Sequence, residues 1–135
     1  MNRADLQQIA ELRLQEARTL LTGGFPDGAY YLAGYAVECA LKACIAKRTK
    51  ENDFPDQKLV NASYTHKLNV LLQLAQLNDE LQTDLKMKVN WDIVQNWSEE
   101  SRYREGSAGQ EVAELLSAIE DNAGGGLLPW VRKRW

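Results

Sequence analysis

Apolar residues recur at helical spacing along most of the chain, and no stretch shows the strict alternation typical of a β-strand. The first apolar face collects Leu6, Ile9, Ala10, Ala17, Leu20 and Leu21. Asp5, with Gln8 three residues later, fits a helix N-cap, and Gly23-Gly24 fits a helix end. The pattern therefore predicts a first helix between Asp5 and Gly23.

A second and longer apolar stretch predicts a helix from about Gly28 to Arg48. The short turn through Pro26 and Asp27 favours an antiparallel hairpin of the first two helices. The following residues, 49 to 64, are polar and are interrupted by Pro55, so we interpret them as a loop.

Three more helices are predicted in the second half of the chain. The third, capped by Thr65, carries Leu68, Leu71, Leu72 and Ala75. The fourth, opened by Asn78 or Asp79, carries Leu81, Leu85 and Val89, and the stretch NWDIVQNW either continues it or forms a separate turn. The fifth carries Val112, Leu115, Leu116 and Ile119, with Ser107 and Gln110 spaced as a capping box and an end at Gly124-Gly125-Gly126.

These elements predict an all-α, up-and-down bundle of about five helices over residues 1–123. Residues 124–135 are predicted to form a Gly-rich hinge and a basic, aromatic C-terminal tail. Its two tryptophans and three basic residues suit contact with RNA or with a partner subunit. An ordered extension that covers the bundle is an equally good interpretation.

A polar seam interrupts the apolar surface of the second helix. Tyr31, Tyr35, Glu38 and Lys42 follow one another at helical spacing, and Glu38 stands four residues before Lys42, the favourable order for an ion pair. The seam is either a solvated strip or a groove or interface that needs a fixed carboxylate.

Composition and charge exclude some classes of protein. The 135 residues carry 16 basic and 19 acidic side chains, a net charge of -3, unlike a uniformly basic nucleic-acid coat protein. No apolar run is long enough to cross a bilayer, and the N-terminus is charged where a signal peptide would be apolar, so we expect a cytoplasmic protein without membrane contact. Cys39 and Cys44 are too far apart around the helix to form a disulfide or a metal half-site, and we expect no metal or cofactor.

Three segments resemble the HEPN domain, a helical family of prokaryotes and higher eukaryotes. EARTLLTGGFPDGAYYLAGYAVECALKACI resembles its first hairpin, THKLNVLLQL its third helix, and VQNWSEESRYREG the turn before its last long helix. The most specific positions are Ala36-Val37-Glu38, Leu41-Lys42 and Arg102-Tyr103. The resemblance implies a bundle of four to five helices, usually dimeric, and often paired with a small nucleotidyltransferase in toxin-antitoxin or defence systems.

The resemblance also implies a test for catalysis. Catalytic members of the family are metal-independent ribonucleases with an arginine followed four to six residues later by a histidine. No histidine stands at that distance after Arg102 or Arg104, and no arginine precedes His66, the only histidine, at that distance. We therefore predict no catalytic residues, and we interpret His66 as a residue that caps or packs locally.

The residues left as binding candidates are Glu38, Lys42, Arg102, Tyr103 and Arg104. Guanidinium groups can hold phosphate, and the Tyr103 ring can stack on a base, unless nearby glutamates neutralise the arginines. Because Glu38 sits on a mostly buried helix and needs a partner, we expect it to face Arg102 across the bundle.

Four aromatic residues are candidates for an interface between two copies of the chain. Tyr31 and Tyr35 are expected there, and Trp91 and Trp97 are expected in the core or in a homodimer interface. The sequence thus predicts a non-catalytic HEPN-like module that binds a nucleotide, RNA phosphate or a nucleotidyltransferase. A divergent ribonuclease that uses Arg102, Tyr103 and Glu38 is one alternative, and a purely structural dimer is the other.

Overall fold

The computed structural model describes residues 1–50, 57–121 and 125–135, apart from the side chain of Lys50. Over these ranges the chain forms eight α-helices and a 3₁₀ turn, without strands, which confirms the all-α prediction. The α-helices are α1 Arg3–Thr22, α2 Pro26–Lys50, α3 Gln57–Ala62, α4 Leu68–Leu74, α5 Asn78–Thr83, α6 Leu85–Val94, α7 Gly109–Glu120 and α8 Leu127–Arg132, and the 3₁₀ turn is Glu99–Tyr103.

The two longest helices, α1 and α2, pack together along their length as the predicted hairpin. The first N-cap differs from the prediction, because Asn2 caps α1. Asp5 is the third residue of the helix, and its side chain completes the capping box with Asn2. Helix α2 begins at Pro26, two residues before the approximate start predicted at Gly28. Proline suits a first helical position, since its missing N–H would have no helical partner there.

The predicted fourth helix is two helices. Asp84 has an extended backbone, and its carboxylate accepts a hydrogen bond from the Met87 N–H at 3.1 Å, so it ends α5 and caps α6. The break shifts the buried face of α6 to Met87, Trp91 and Val94. The predicted face was wrong there, since Leu85 is 79% exposed and Val89 61% exposed.

Two more predicted caps are not formed. Thr65 accepts a hydrogen bond from the Lys67 N–H, but α4 begins only at Leu68 and has no side-chain cap. The capping box predicted for Ser107 and Gln110 is also absent, since α7 begins at Gly109, after Ala108, without a side-chain cap. The predicted loop at 49–64 includes the end of α2 and all of α3, and Pro55 lies outside the described residues.

The C-terminal residues pack onto the bundle. Leu127, Leu128, Trp130 and Val131 of α8 are all buried in the core. At Gly126 a Cβ atom would lie 2.4 Å from the backbone carbon of Glu120, so this glycine permits a close approach to α7. The predicted boundary between residues 123 and 124, with the first part of the Gly-rich hinge, lies outside the described residues.

Trp91 and Trp97 both lie in the core, only 3% and 4% exposed. Trp97 covers Gly34 of α2, where an added Cβ would lie 2.2 Å from three atoms of the indole ring. A small residue at this point therefore lets the turn after α6 approach α2 closely. In the described part of the chain no helix has the length and apolarity to cross a membrane.

Candidate functional site

The polar seam of α2 begins with an aromatic cluster. The rings of Tyr31 and Tyr35 stack with centroids 6.1 Å apart, and the Trp97 ring lies 6.2 Å from Tyr31. Tyr31 and Tyr35 are partly exposed, whereas Trp97 is buried. Of the four predicted interface residues, only these two tyrosines offer surface to another molecule.

Arg102, in the 3₁₀ turn, lies beside Tyr31 of this cluster. It is exposed, it lies beside the side chains of Tyr103 and Tyr31, and its guanidinium carbon is 5.0 Å from the centre of the Tyr103 ring. Tyr103 itself is 75% exposed. Within the described ranges no carboxylate forms an ion pair with Arg102, so its charge remains available to a ligand.

Arg104 has a structural role. Its Nη2 donates to both carboxylate oxygens of Glu111, at 2.8 and 2.6 Å, and its guanidinium lies 4.7 Å from the centre of the Tyr30 ring. These contacts join the 3₁₀ turn to α7 and α2. Of the two arginines predicted to bind phosphate, Arg104 therefore forms an ion pair with a glutamate of the following helix.

Asp27 holds the residues that follow this turn against α2. Its carboxylate accepts hydrogen bonds from the backbone N–H groups of Ser107, at 2.8 Å, and Gly106, at 3.2 Å. The Ser107 side chain, these N–H groups and the nearby Arg104 charge hold the pKa of Asp27 below its usual value. The residues that follow Arg102 are thus held against α7 and α2.

Glu38 does not meet Arg102. Its Oε1 accepts from Lys42 Nζ at 3.0 Å and from His66 Nδ1 at 2.8 Å, while its side chain is almost fully buried. The predicted Glu38–Lys42 ion pair is confirmed. The predicted Arg102 partner is wrong, because Arg102 lies beside Tyr31, two turns earlier on α2, and His66 occupies the place that we assigned to it.

His66 is the residue that the sequence interpretation missed. It was expected to cap or pack locally, but its ring reaches across to α2 and the carboxylate holds it there. A carboxylate fixes the tautomer and direction of an imidazole in this way. The only sequence signal was the burial expected for Glu38, which demanded a partner without identifying it.

The Glu38 group borders a pocket of about 440 Å³. It is lined by Met1 and Leu6 near the start of the chain, by the α2 face from Tyr35 to Thr49, and by Leu59, Val60, Ser63, Tyr64 and His66. Ligand pockets in proteins commonly have this size and a mostly apolar lining with a few polar groups. Glu38 and Lys42, which we predicted as ligand residues, thus border a pocket that is separate from the Arg102 turn.

The arrangement has two chemical capabilities. The exposed guanidinium and phenol of Arg102 and Tyr103 can hold a phosphate and stack on a ring. The paired carboxylate and imidazole of Glu38 and His66 can accept or donate hydrogen bonds at a mostly apolar pocket. The two groups contact positions of α2, Tyr31 and Glu38, that are about 10 Å apart along the helix axis.

The antiparallel hairpin, the small-residue second helix and the Arg-Tyr turn before the last long helix of the bundle define an all-α helical-bundle domain. The family model for the HEPN domain matches residues 4–121, and the chain belongs to this family. Comparisons with curated proteins and with solved structures found no match.

Proposed function

We propose that this HEPN domain is a non-catalytic binding module that takes a phosphate-bearing ligand, a nucleotide or RNA, on the Arg102-Tyr103 turn. The observation that carries the proposal is the exposed guanidinium of Arg102, which lies among phenol rings and, within the described ranges, without a carboxylate in an ion pair. Arg104 holds the turn in place and does not bind the ligand.

The surroundings of Arg102 limit the size of the ligand. Glu99, Glu100 and Glu105 lie close to it in sequence, and they repel a long polyanion. Arg102 can form two parallel hydrogen bonds to one phosphate, and Tyr103 can stack on the attached base. These features favour a mononucleotide or a short single-stranded RNA.

The test is fluorescence anisotropy with a labelled short RNA and with a labelled ATP analogue, at about 50 mM and about 200 mM salt. Binding should weaken at the higher salt, because phosphate contacts release counterions. Arg102→Ala should weaken it about tenfold or more, since hydrogen bonds to charged groups contribute roughly 1.5–3 kcal/mol.

Arg48→Ala is the matched control. Arg48 is an exposed arginine at the end of α2, far along the chain from the turn, and its loss changes the net charge by the same amount. This variant should bind within about twofold of the parent protein. Equal binding by the Arg102→Ala variant and the parent would move the ligand away from this turn.

A ribonuclease is the second candidate, and the Glu38–His66 hydrogen bond favours it, since a histidine held by a carboxylate can serve as a general base. Within one chain, however, this pair and Arg102 contact positions of α2 that are about 10 Å apart along its axis, which does not favour joint action on one phosphate. We expect no cleavage of RNA in the presence of EDTA. Cleavage that disappears in both Arg102→Ala and His66→Ala would establish the enzyme.

We extend the proposal to a homodimer. Leu85, Val89 and Ile93 recur every four residues on α6 and are 79%, 61% and 40% exposed, which leaves an apolar face for a second copy. Sedimentation should show a dimer, and Val89→Glu should dissociate it. Leu12→Glu, at an exposed leucine of α1, should not. A dimer that binds neither RNA nor nucleotide would favour the purely structural alternative.

The proposed context is a toxin-antitoxin or defence system in the cytoplasm, with a small nucleotidyltransferase as protein partner. The family supports this context, and the two free, buried cysteines suit a reducing compartment. Light scattering of this chain mixed with a nucleotidyltransferase encoded beside it should show a complex. Two separate species at micromolar concentration would remove the partner from the proposal.

A further inference from the structure

We propose that the pocket bordered by Glu38 is a second binding site, for a small uncharged molecule with an apolar body and an N–H group that donates to Oε2 of Glu38. This site shares no residue with the Arg102-Tyr103 turn. It therefore goes beyond the phosphate-binding function and stands or falls separately.

The first support is a hydrogen-bond acceptor without a donor. Glu38 is 1% exposed, and its Oε1 already accepts from Lys42 and His66. Its Oε2 is buried and, among the described residues, meets no hydrogen-bond partner. Buried polar atoms in native proteins nearly always pair with a protein group or an ordered water, so we expect this oxygen to accept from a donor that is not among the described residues.

The second support is the charge of the lining. Lys42 compensates the Glu38 carboxylate, and His66 adds a positive charge only when it is protonated. Tyr35 and Cys39 stay neutral near pH 7, because burial raises the pKa of both, to about 11 for Cys39. An ammonium ligand would meet a carboxylate that is already paired, and an anion would face the lone pairs of Oε2. An uncharged N–H donor fits both conditions.

The third support is that the polar and the apolar lining residues of the pocket occupy different turns of α2. Tyr35, Glu38, Cys39 and Lys42 line one part of it, and Ile45 and Ala46 line the next turn. Leu6, Leu59 and Val60 add apolar surface from α1 and α3. The cavity of about 440 Å³ can hold a compact apolar body with one polar head at Glu38.

Three probes that share a phenyl ring and a carbonyl carbon test this chemistry: benzamide, N,N-dimethylbenzamide and benzoate. Benzamide carries N–H donors, the dimethyl compound keeps only the acceptor, and benzoate is an anion. Each is titrated up to about 5 mM, the range in which fragment-sized ligands bind, and followed by the amide NMR shifts of residues 59–66. Benzamide should bind, the dimethyl compound about tenfold more weakly, and benzoate not measurably.

Two substitutions locate the binding. Ala46→Phe places a ring in the pocket and should abolish the benzamide shifts, whereas Ala113→Phe, at an exposed position of α7, should not. In Glu38→Gln the one remaining side-chain oxygen must still accept from Lys42 and His66. The amide NH₂ group therefore takes the place of Oε2 and presents a hydrogen-bond donor to the pocket. The preference for benzamide should then be lost, because both amides carry a carbonyl oxygen that can accept from this donor.

The outcomes are distinct. Absence of benzamide binding, or binding that Ala46→Phe leaves unchanged, overturns the site. Equal binding of the two amides by the parent protein overturns the role of Oε2. If Glu38→Gln fails to fold, the Ala46→Phe variant and the pair of amides still decide the matter. Arg102→Ala should leave benzamide binding unchanged, which separates this site from the phosphate-binding function.

Discussion

Gly34→Ala should destabilise the protein by about 2 kcal/mol, although alanine is the better helix former. The new Cβ would lie 2.2 Å from three atoms of the Trp97 ring, well inside van der Waals contact. The ring is 4% exposed and packs against Tyr31, so it has little room to move away. Overpacking of this kind costs roughly 1–3 kcal/mol, and we expect the upper end. The gain in helix propensity, about 1 kcal/mol, offsets part of it.

Urea unfolding followed by circular dichroism measures this change directly. For 135 residues, a loss of about 2 kcal/mol corresponds to a fall in Tm of about 7 °C. Gly109→Ala is the control, because nothing lies within 4 Å of a Cβ at Gly109 and its backbone is helical. That variant should be unchanged or slightly more stable. A Gly34→Ala protein as stable as the parent would show that Trp97 does not rest on α2 as described.

Two further predictions concern titratable groups. Because its folded-state pKa is lowered, Asp27 contributes stability above its usual pKa of 3.8, and this contribution is lost as the pH falls through the folded-state value. Asp27→Asn should therefore lower the urea midpoint at pH 7, and the effect should become smaller as the pH falls below 3.8. An effect that does not change with pH would contradict a role for the charge. Burial raises the pKa of Cys39 and of Cys44 to about 11, so both thiols should resist iodoacetamide at pH 7.5 until urea unfolds the chain. Equally rapid alkylation of the native protein would contradict their burial.

The sequence predicted what depends on local pattern. The α1–α2 hairpin and the Glu38–Lys42 pair follow from helical spacing, and both are present. The phase of α6 was mistaken, because Asp84 was read as an interior position of one long helix when it ends one helix and caps the next. A single polar residue can support either interpretation, and only packing against the core decides between them.

Contacts between distant parts of the chain could not be predicted from the sequence. His66 and Glu38 are 28 residues apart, and no spacing rule joins them. Gly126 was expected to provide flexibility, whereas it permits a close approach to Glu120. For the basic tail, the sequence left contact with RNA or a partner and an ordered extension over the bundle equally open. In the structure Arg132 pairs with Glu11, Arg134 pairs with Glu80, and Arg134 lies over the Trp130 ring. These arginines bind the C-terminal helix to the bundle.

The two proposed sites should act independently, even though α2 contributes to both. Arg102 reaches α2 at Tyr31, and the pocket begins at Tyr35 and Glu38, with the stacked tyrosines and Trp97 between them. Groups about 10 Å apart without a shared partner are usually additive, and coupling between them needs an element with two discrete arrangements. A saturating concentration of benzamide should therefore change the affinity for the labelled RNA by less than about twofold. A larger change would mean that the cluster has two states, and a larger change that vanishes in Ala46→Phe would identify the pocket as the site that selects between them.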